Sequence, residues 1–225
     1  MTKKLCIFDL DGTLINSLYD LADAMNFALK KHGFPVHDRE KYRFMVGSGI
    51  STLADSAMVI PKGLASPEKK QEILADFNEY YNAHCMDKTL PYDGIISMLD
   101  SLEAKNIMYS VMSNKPDNFS NIIVRSLFPN NKFASVWGKR DNYERKPDPQ
   151  AVWALIDEAG VKKEECLYIG DSDVDVYTAK NAGLKFCGVS WGFRPVSELL
   201  NAGAEYIADS PEDILKRVAF YETNA

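Results

Sequence analysis

The sequence predicts an α/β protein: a parallel sheet with helices on both faces, interrupted near its start by an all-helical insertion. Three observations carry this. Leu5–Phe8 is an apolar run of strand length that stops at Asp9, Leu10 and Asp11, the pattern of a strand buried on both faces. From Pro91 onward, short apolar runs alternate with stretches of helical spacing, as in a parallel sheet with crossover helices. Between Asn16 and about Pro91 only helical patterns occur. The expected division is residues 1–15 and 92–225 for the sheet core and 16–91 for the insertion.

Taken in order, Ser17 is placed to cap a helix running to about His32. Leu18, Leu21, Ala22, Met25, Ala28 and Leu29 recur at helical spacing, and Gly33 and Pro35 end it. A second helical stretch precedes Val46-Gly47-Ser48-Gly49, and a third covers Ile50–Met58. Ser66 and Pro67 open a long helix to about Cys85, with Ser as the cap and Pro at the first position. Gly94–Ala104 follows as a helix and Met108–Met112 as a strand ending at Ser113-Asn114-Lys115. Pro116 opens another helix, and Phe133–Trp137 reads as a strand. A polar loop leads to Lys146-Pro147-Asp148-Pro149 and a helix that stops at Gly160. Cys166–Ile169 is a strand ending in Gly170-Asp171-Ser172, with a helix to Ala182 after it. Phe186–Val189 is a further strand and Pro211–Tyr221 the last helix.

Composition narrows the function. The chain has 225 residues, is 46% hydrophobic and carries a formal net charge of −6. That acidity argues against a nucleic-acid partner or an anionic membrane surface, and no apolar stretch approaches a membrane span. Met1-Thr2-Lys3-Lys4 is basic, but the apolar run behind it is broken by Asp9 and Asp11, so no secretion signal is expected. Four scattered cysteines fit a reducing cytoplasm; Cys6, Cys166 and Cys187 fall in strands as small buried hydrophobes, and Cys85 near a helix end. His32, His37 and His84 form no ligand cluster. No oligomeric state is read from the sequence.

The chemistry is written at the strand ends. In open α/β sheets ligands bind beyond the carboxyl ends of the strands, and four of those ends are polar here. Asp9 and Asp11 lie two apart, so in extended chain their side chains leave towards one spot. Two acids packed that closely need a cation, a shared proton or hydrogen bonds in compensation. A nucleophile, an acid/base and a divalent metal between them meet that need. Ser113 and Asn114 end the next strand, Lys146 follows another, and Asp171 and Asp175 follow a fourth. Carboxylates from two strands make a hard oxygen site suited to Mg²⁺. A hydroxyl and backbone N–H groups suit phosphate oxygens, and a lysine offsets the charge of a transferring phosphoryl group. Gly47-Ser48-Gly49 lacks the spacing of a dinucleotide fingerprint and reads either as a turn or as a loop closing over substrate.

In these four motifs the sequence resembles the haloacid dehalogenase superfamily, and in Asp11-Gly12-Thr13-Leu14-Ile15-Asn16-Ser17-Leu18, Ser113-Asn114-Lys115 and Lys146-Pro147-Asp148-Pro149 it resembles the phosphoglycolate phosphatase-like branch. Asp9-x-Asp11-Gly12-Thr13, Ser113, Lys146 before Pro147, and Gly170-Asp171-Ser172-x-x-Asp175 occur in the family's order and span nearly the whole chain. The resemblance implies a Rossmann-like core with an α-helical cap inserted after the first motif. It implies that Asp9 attacks phosphorus to form an aspartyl-phosphate and that Asp11 protonates the leaving oxygen and then activates water. Mg²⁺ would be held by Asp9, Asp171 and the backbone carbonyl of Asp11. Ser113 and the backbone near Asn114 would bind the phosphate, Lys146 would orient Asp9, and Asp175 would support the metal ligands. Asn16 stands where that branch commonly carries Asp.

The expected activity is phosphomonoester hydrolysis on a small phosphorylated metabolite. Arg43, just before the Gly47 loop, is the expected reader of a carboxylate on a substrate such as phosphoglycolate. The alternatives are a sugar-phosphate mutase of the β-phosphoglucomutase type and a non-catalytic phosphate-binding regulator.

Overall fold

The computed structural model describes residues 3–58 and 66–223; Met1 and Thr2 of the basic start lie outside them. Strand β1 (Leu5–Phe8) has all four side chains fully buried. Cys6 and Phe8 enter the larger apolar cluster, while Leu5 and Ile7 enter the second one on the other face. A strand with a hydrophobe at every position therefore sits where both faces are covered. Burying such side chains contributes about 1.5–3 kcal/mol each.

Strand β2 (Ile15–Asn16) leads into helix α1 (Leu18–Lys31). A 3₁₀ turn over Arg39–Phe44 follows, then α2 (Ile50–Ala57) and α3 (Pro67–His84). These helical segments pack on one another through Leu21, Met25, Leu53, Ile73 and Phe77. Ser66 caps α3 as expected, its side chain accepting from the Lys69 N–H with Pro67 in the first turn. Ser17 makes no side-chain cap to α1. Strand β3 (Leu90–Pro91) pairs antiparallel with β2, matching Ile15 to Pro91 and Asn16 to Leu90. This two-residue ribbon joins both ends of the expected insertion, and two residues are too few to show a period.

Beyond it come α4 (Ile95–Ala104), β4 (Met108–Pro116), α5 (Asp117–Leu127), β5 (Val136–Lys139) and α6 (Gln150–Ala159). Strand β6 (Cys166–Gly170), α7 (Asp173–Ala182), β7 (Lys185–Val189), α8 (Val196–Ala202), β8 (Ile207–Ala208) and α9 (Pro211–Thr223) complete the chain. The sheet is wholly parallel in the order β5-β4-β1-β6-β7-β8. Leu5 pairs with Met108 on one side and with Cys166 on the other. The chain fills the β4–β5 side first and then returns across β1 to β6. That reversal makes the β1 end the topological switch point, where ligands bind in such sheets.

Strand β4 runs four residues past its apolar stretch, because Ser113, Asn114 and Lys115 are buried too. Strand β5 begins later than its hydrophobic run predicts, and α8 and β8 are too short to stand out. The four cysteines are free and buried. Among the described residues no helix is long and apolar enough to cross a membrane.

Candidate active site

The two acids after β1 are two residues apart yet meet different partners. The backbone N–H of Asp9 extends the β1–β6 ladder, bonding the Ile169 carbonyl at 2.9 Å. Its Oδ1 accepts from the Leu10 N–H at 2.7 Å and faces Lys146 Nζ at 2.9 Å. The carboxylate of Asp11 turns elsewhere. It accepts from Ser17 Oγ at 2.5 Å, and Lys115 Nζ donates to its two oxygens at 2.9 and 3.1 Å. Ser17, expected as a helix cap, thus spends its hydroxyl on this acid.

Lys146 Nζ also donates to Asp175 Oδ1 at 2.7 Å, so one buried ammonium is shared by two carboxylates. The other oxygen of Asp175 accepts from Ser172 N–H at 3.2 Å and from Ser172 Oγ at 2.7 Å. This closes the first turn of α7 reciprocally. Asp171 accepts from Thr13 Oγ1 at 3.4 Å and from the Phe193 N–H at 2.8 Å. Space around it is tight on two sides. A Cβ on Gly12 would fall 2.3 Å from Asp171 Oδ2, and one on Gly192 would fall 2.2 Å from Asp171 Cβ. Gly12 also has φ +87°, a left-handed conformation that glycine adopts freely.

Asp9, Asp171 and Asp175 each bring a carboxylate oxygen within 4.8 Å of the others, all three buried. Burial pushes the Asp9 carboxyl up to about 7 against an ordinary 3.8, with Lys146 pulling the other way. Asp171 is held well above the carboxylate range by burial and by the charges of Asp175 and Asp9. Burial favours the neutral form of Lys146, but Asp175 and Asp9 outweigh it and keep the ammonium charged. Three buried acids against one ammonium leave a deficit of positive charge, and an all-oxygen donor set of this kind fits a hard divalent cation. Asp11 does not belong to the cluster by its side chain.

Asp9, Asp11, Ser113, Asn114 and Lys115 floor a small cavity, roofed by Leu21, Val46, Ile50 and Leu53 with Gly47 and Gly49. Its volume is about 30 Å³, enough to admit water. Ser113 Oγ accepts from the Lys115 N–H at 3.2 Å. The amide of Asn114 is consumed by the backbone. Its Oδ1 accepts from Lys146 N–H at 2.8 Å, and its Nδ2 donates to the carbonyls of Lys146 at 3.3 Å and Gly47 at 3.1 Å.

Arg43, expected at the substrate, does not line this cavity. Its Nη2 donates to the Gly192 carbonyl at 2.9 Å and its Nε to the Phe193 carbonyl at 3.3 Å. A guanidinium only donates; its remaining nitrogen, Nη1, stands 3.6 Å from Glu40 Oε2 in an exposed ion pair. Lys115 is the residue that sequence reasoning passed over. It stands beside Ser113 and Asn114 in the sequence, but nothing local signals that its side chain is buried against Asp11 and the ring of Tyr81, 5.0 Å from its centroid.

The haloacid dehalogenase-like hydrolase family model matches residues 6–189, which include all four polar strand ends. The chain belongs to the haloacid dehalogenase-like hydrolases. Among curated proteins of this kind, the phosphoglycolate phosphatase of Rhodospirillum rubrum is 34% identical over 203 residues, covering 87% of this chain and 84% of that protein. The N-acetylmuramic acid 6-phosphate phosphatase of Pseudomonas aeruginosa is 29% identical over 217 residues, covering 96% and 94%. The crystal structure of a predicted phosphoglycolate phosphatase from Haemophilus somnus superposes with a TM-score of 0.89 at 28% identity, covering 96% of this chain and 98% of that one. The hydrolase fold and the parallel sheet with its polar strand ends agree with these likenesses.

Proposed function

We propose that this hydrolase is a Mg²⁺-dependent phosphatase that cleaves a small phosphomonoester, phosphoglycolate-like in size, through an aspartyl-phosphate on Asp9. The observation that carries the proposal is the separation of the two acids after β1. Asp9 faces Lys146 and the acidic cluster, whereas Asp11 faces Lys115 and Ser17 across the same cavity. One environment suits a nucleophile aimed at phosphorus, the other an acid/base aimed at the leaving group.

Asp9, Asp171 and the backbone carbonyl of Asp11 would hold the metal, with Asp175 behind them, since both its oxygens are committed to Lys146 and Ser172. Bound there, Mg²⁺ supplies positive charge to the phosphoryl oxygens and to the attacking carboxylate. In the first step an Asp9 oxygen forms the P–O bond. The ester P–O bond breaks, and Asp11 gives its proton to the departing alkoxide. In the second step a water attacks phosphorus, Asp11 takes its proton, and Asp9 leaves with the electrons of the P–O bond, freeing inorganic phosphate. Ser113 and the backbone beside it bind the phosphoryl oxygens, and Lys146 fixes the angle of Asp9. The roof from the insertion meets the rest of the substrate and is apolar apart from backbone.

The test is hydrolysis of an aryl phosphate by the purified chain, stopped by a chelator and restored by Mg²⁺. A panel of phosphoglycolate, N-acetylmuramic acid 6-phosphate, hexose phosphates and nucleotides then follows. Highest kcat/KM on the smallest esters supports the substrate reading; a preference for nucleotides or hexose phosphates overturns it. Full activity in excess chelator removes the metal.

A further inference from the structure

Several side chains reach across the line between the helical insertion and the sheet core to donate to backbone carbonyls, and Arg145 Nη1 also donates to Thr52 Oγ1 at 2.7 Å. Asn114 donates to Gly47, Arg145 to Ser48 at 2.8 Å, Arg194 to Val46 at 3.1 Å, and Arg43 to Gly192 and Phe193.

One of the links does more than hold the roof down. The carbonyls that Arg43 grips belong to the loop Trp191–Arg194. That loop's Phe193 N–H donates to Asp171 Oδ2 at 2.8 Å, and its Gly192 packs so closely on Asp171 that no Cβ fits. The same loop is pinned on its other side by Trp191 Nε1, which donates to the Thr13 carbonyl at 3.1 Å. Thr13 in turn donates to Asp171 Oδ1. Both oxygens of Asp171 are thus oriented by groups tied to one loop, and two links join that loop to the insertion: Arg43 on the Gly192 and Phe193 carbonyls and Arg194 on the Val46 carbonyl, of which the Arg43 link grips the very residues that touch Asp171.

We propose that Arg43 is a positioning residue for Asp171: by clamping the Gly192 and Phe193 carbonyls, it couples closure of the helical insertion to the orientation of the Asp171 carboxylate. The inference rests on the reading that Asp171 is a metal ligand. Coupling of this kind is reciprocal. Cation binding at Asp171 favours the closed insertion, and lifting the insertion for product release loosens the cation's ligand.

The experiment compares the unchanged protein with Arg43→Met and Arg43→Lys in two measurements. The first is hydrogen–deuterium exchange of the peptide spanning Trp191–Arg194 in chelator, which needs no metal. The second is Mg²⁺ binding by isothermal titration without substrate. Arg43→Met should expose the Phe193 amide to faster exchange and weaken Mg²⁺ roughly ten-fold, the scale of one charge-assisted hydrogen bond. Arg43→Lys, which reaches one carbonyl, should fall between. The kcat lost in Arg43→Met should return at saturating Mg²⁺ with the ester KM unchanged. Unaltered exchange overturns the clamp, and unaltered Mg²⁺ affinity overturns the coupling. A defect confined to ester KM contradicts the proposal and returns Arg43 to the substrate. Failure of the unchanged protein to bind Mg²⁺, with exchange still altered by Arg43→Met, overturns the metal reading and with it the coupling, while leaving the clamp established.

Discussion

Lys115 Nζ stands 2.9 Å from Asp11 Oδ1, and this buried pair is what sets Asp11 apart from Asp9. Burial works against the Lys115 ammonium, but Asp11 outweighs it and raises the lysine pKa. Removing the ammonium leaves Asp11 with Ser17 as its remaining side-chain partner and strips the cavity floor of its one cation among the described residues. Lys115→Met should lower kcat/KM for alkyl phosphates by roughly 10²-fold, the scale of general acid–base help. The loss should be smaller for aryl phosphates, whose leaving oxygen needs less protonation. Parallel kinetics on both substrates check this; equal losses separate Lys115 from Asp11's task.

The raised carboxyl of Asp9 links stability to pH. Its folded pKa of about 7 exceeds the ordinary 3.8, chiefly through burial, so the folded state binds the proton more tightly than the unfolded chain. That stabilisation is complete below the ordinary value and is lost as pH rises through about 7. In chelator, the melting temperature should therefore fall as pH climbs across this window. Mg²⁺ should stabilise the protein more above the window than below it, because it replaces protons. Thermal melts with and without Mg²⁺ on both sides of the window decide; a metal effect that does not change with pH contradicts this reading of the cluster.

Gly192 tests the packing around Asp171. Adding a single methyl group, as in Gly192→Ala, sets a Cβ 2.2 Å from Asp171 Cβ and 2.6 Å from its Oδ2. The buried acid must move, so the variant should fold with reduced stability and lose its response to Mg²⁺, at a cost of about 10²-fold or more in kcat. Mg²⁺ titration of activity and of melting temperature measures this. A normal metal response would show that Asp171 tolerates displacement.

Much of this site was legible in the sequence because its parts are local. Asp9, Asp11 and Asp171 follow the apolar runs of β1 and β6, Ser113 follows the apolar run of β4, and Lys146 lies in the loop after β5; a buried parallel strand shows itself as an unbroken apolar run. What escaped was set by tertiary contact. Ser17 looks like a helix cap and instead bonds Asp11; Lys115 carries no local sign that it is buried against Asp11; Arg43 looks like a carboxylate reader and grips Gly192 and Phe193. The short pairing of Ile15–Asn16 with Leu90–Pro91 and the late elements α8 and β8 carry too few residues for periodicity to register. The loop Trp191–Arg194 gave no sign that its backbone N–H orients Asp171.

The two steps of the proposed reaction can be split at Asp11. Asp11→Asn cannot protonate a leaving group or activate water, yet it leaves Asp9 free to attack. With an aryl phosphate it should release a burst of aryl alcohol equal to the enzyme present and then slow by several orders of magnitude. Quenched-flow kinetics show the burst amplitude. Undiminished steady-state turnover would refute the division of roles.

The most direct measurement is turnover by Asp9→Asn. The amide keeps the shape of the side chain next to Lys146 but cannot form an acyl-phosphate, so kcat should fall by several orders of magnitude in a protein whose circular dichroism and melting transition show it folded. Near-normal turnover by folded Asp9→Asn would contradict a covalent phosphatase built on Asp9.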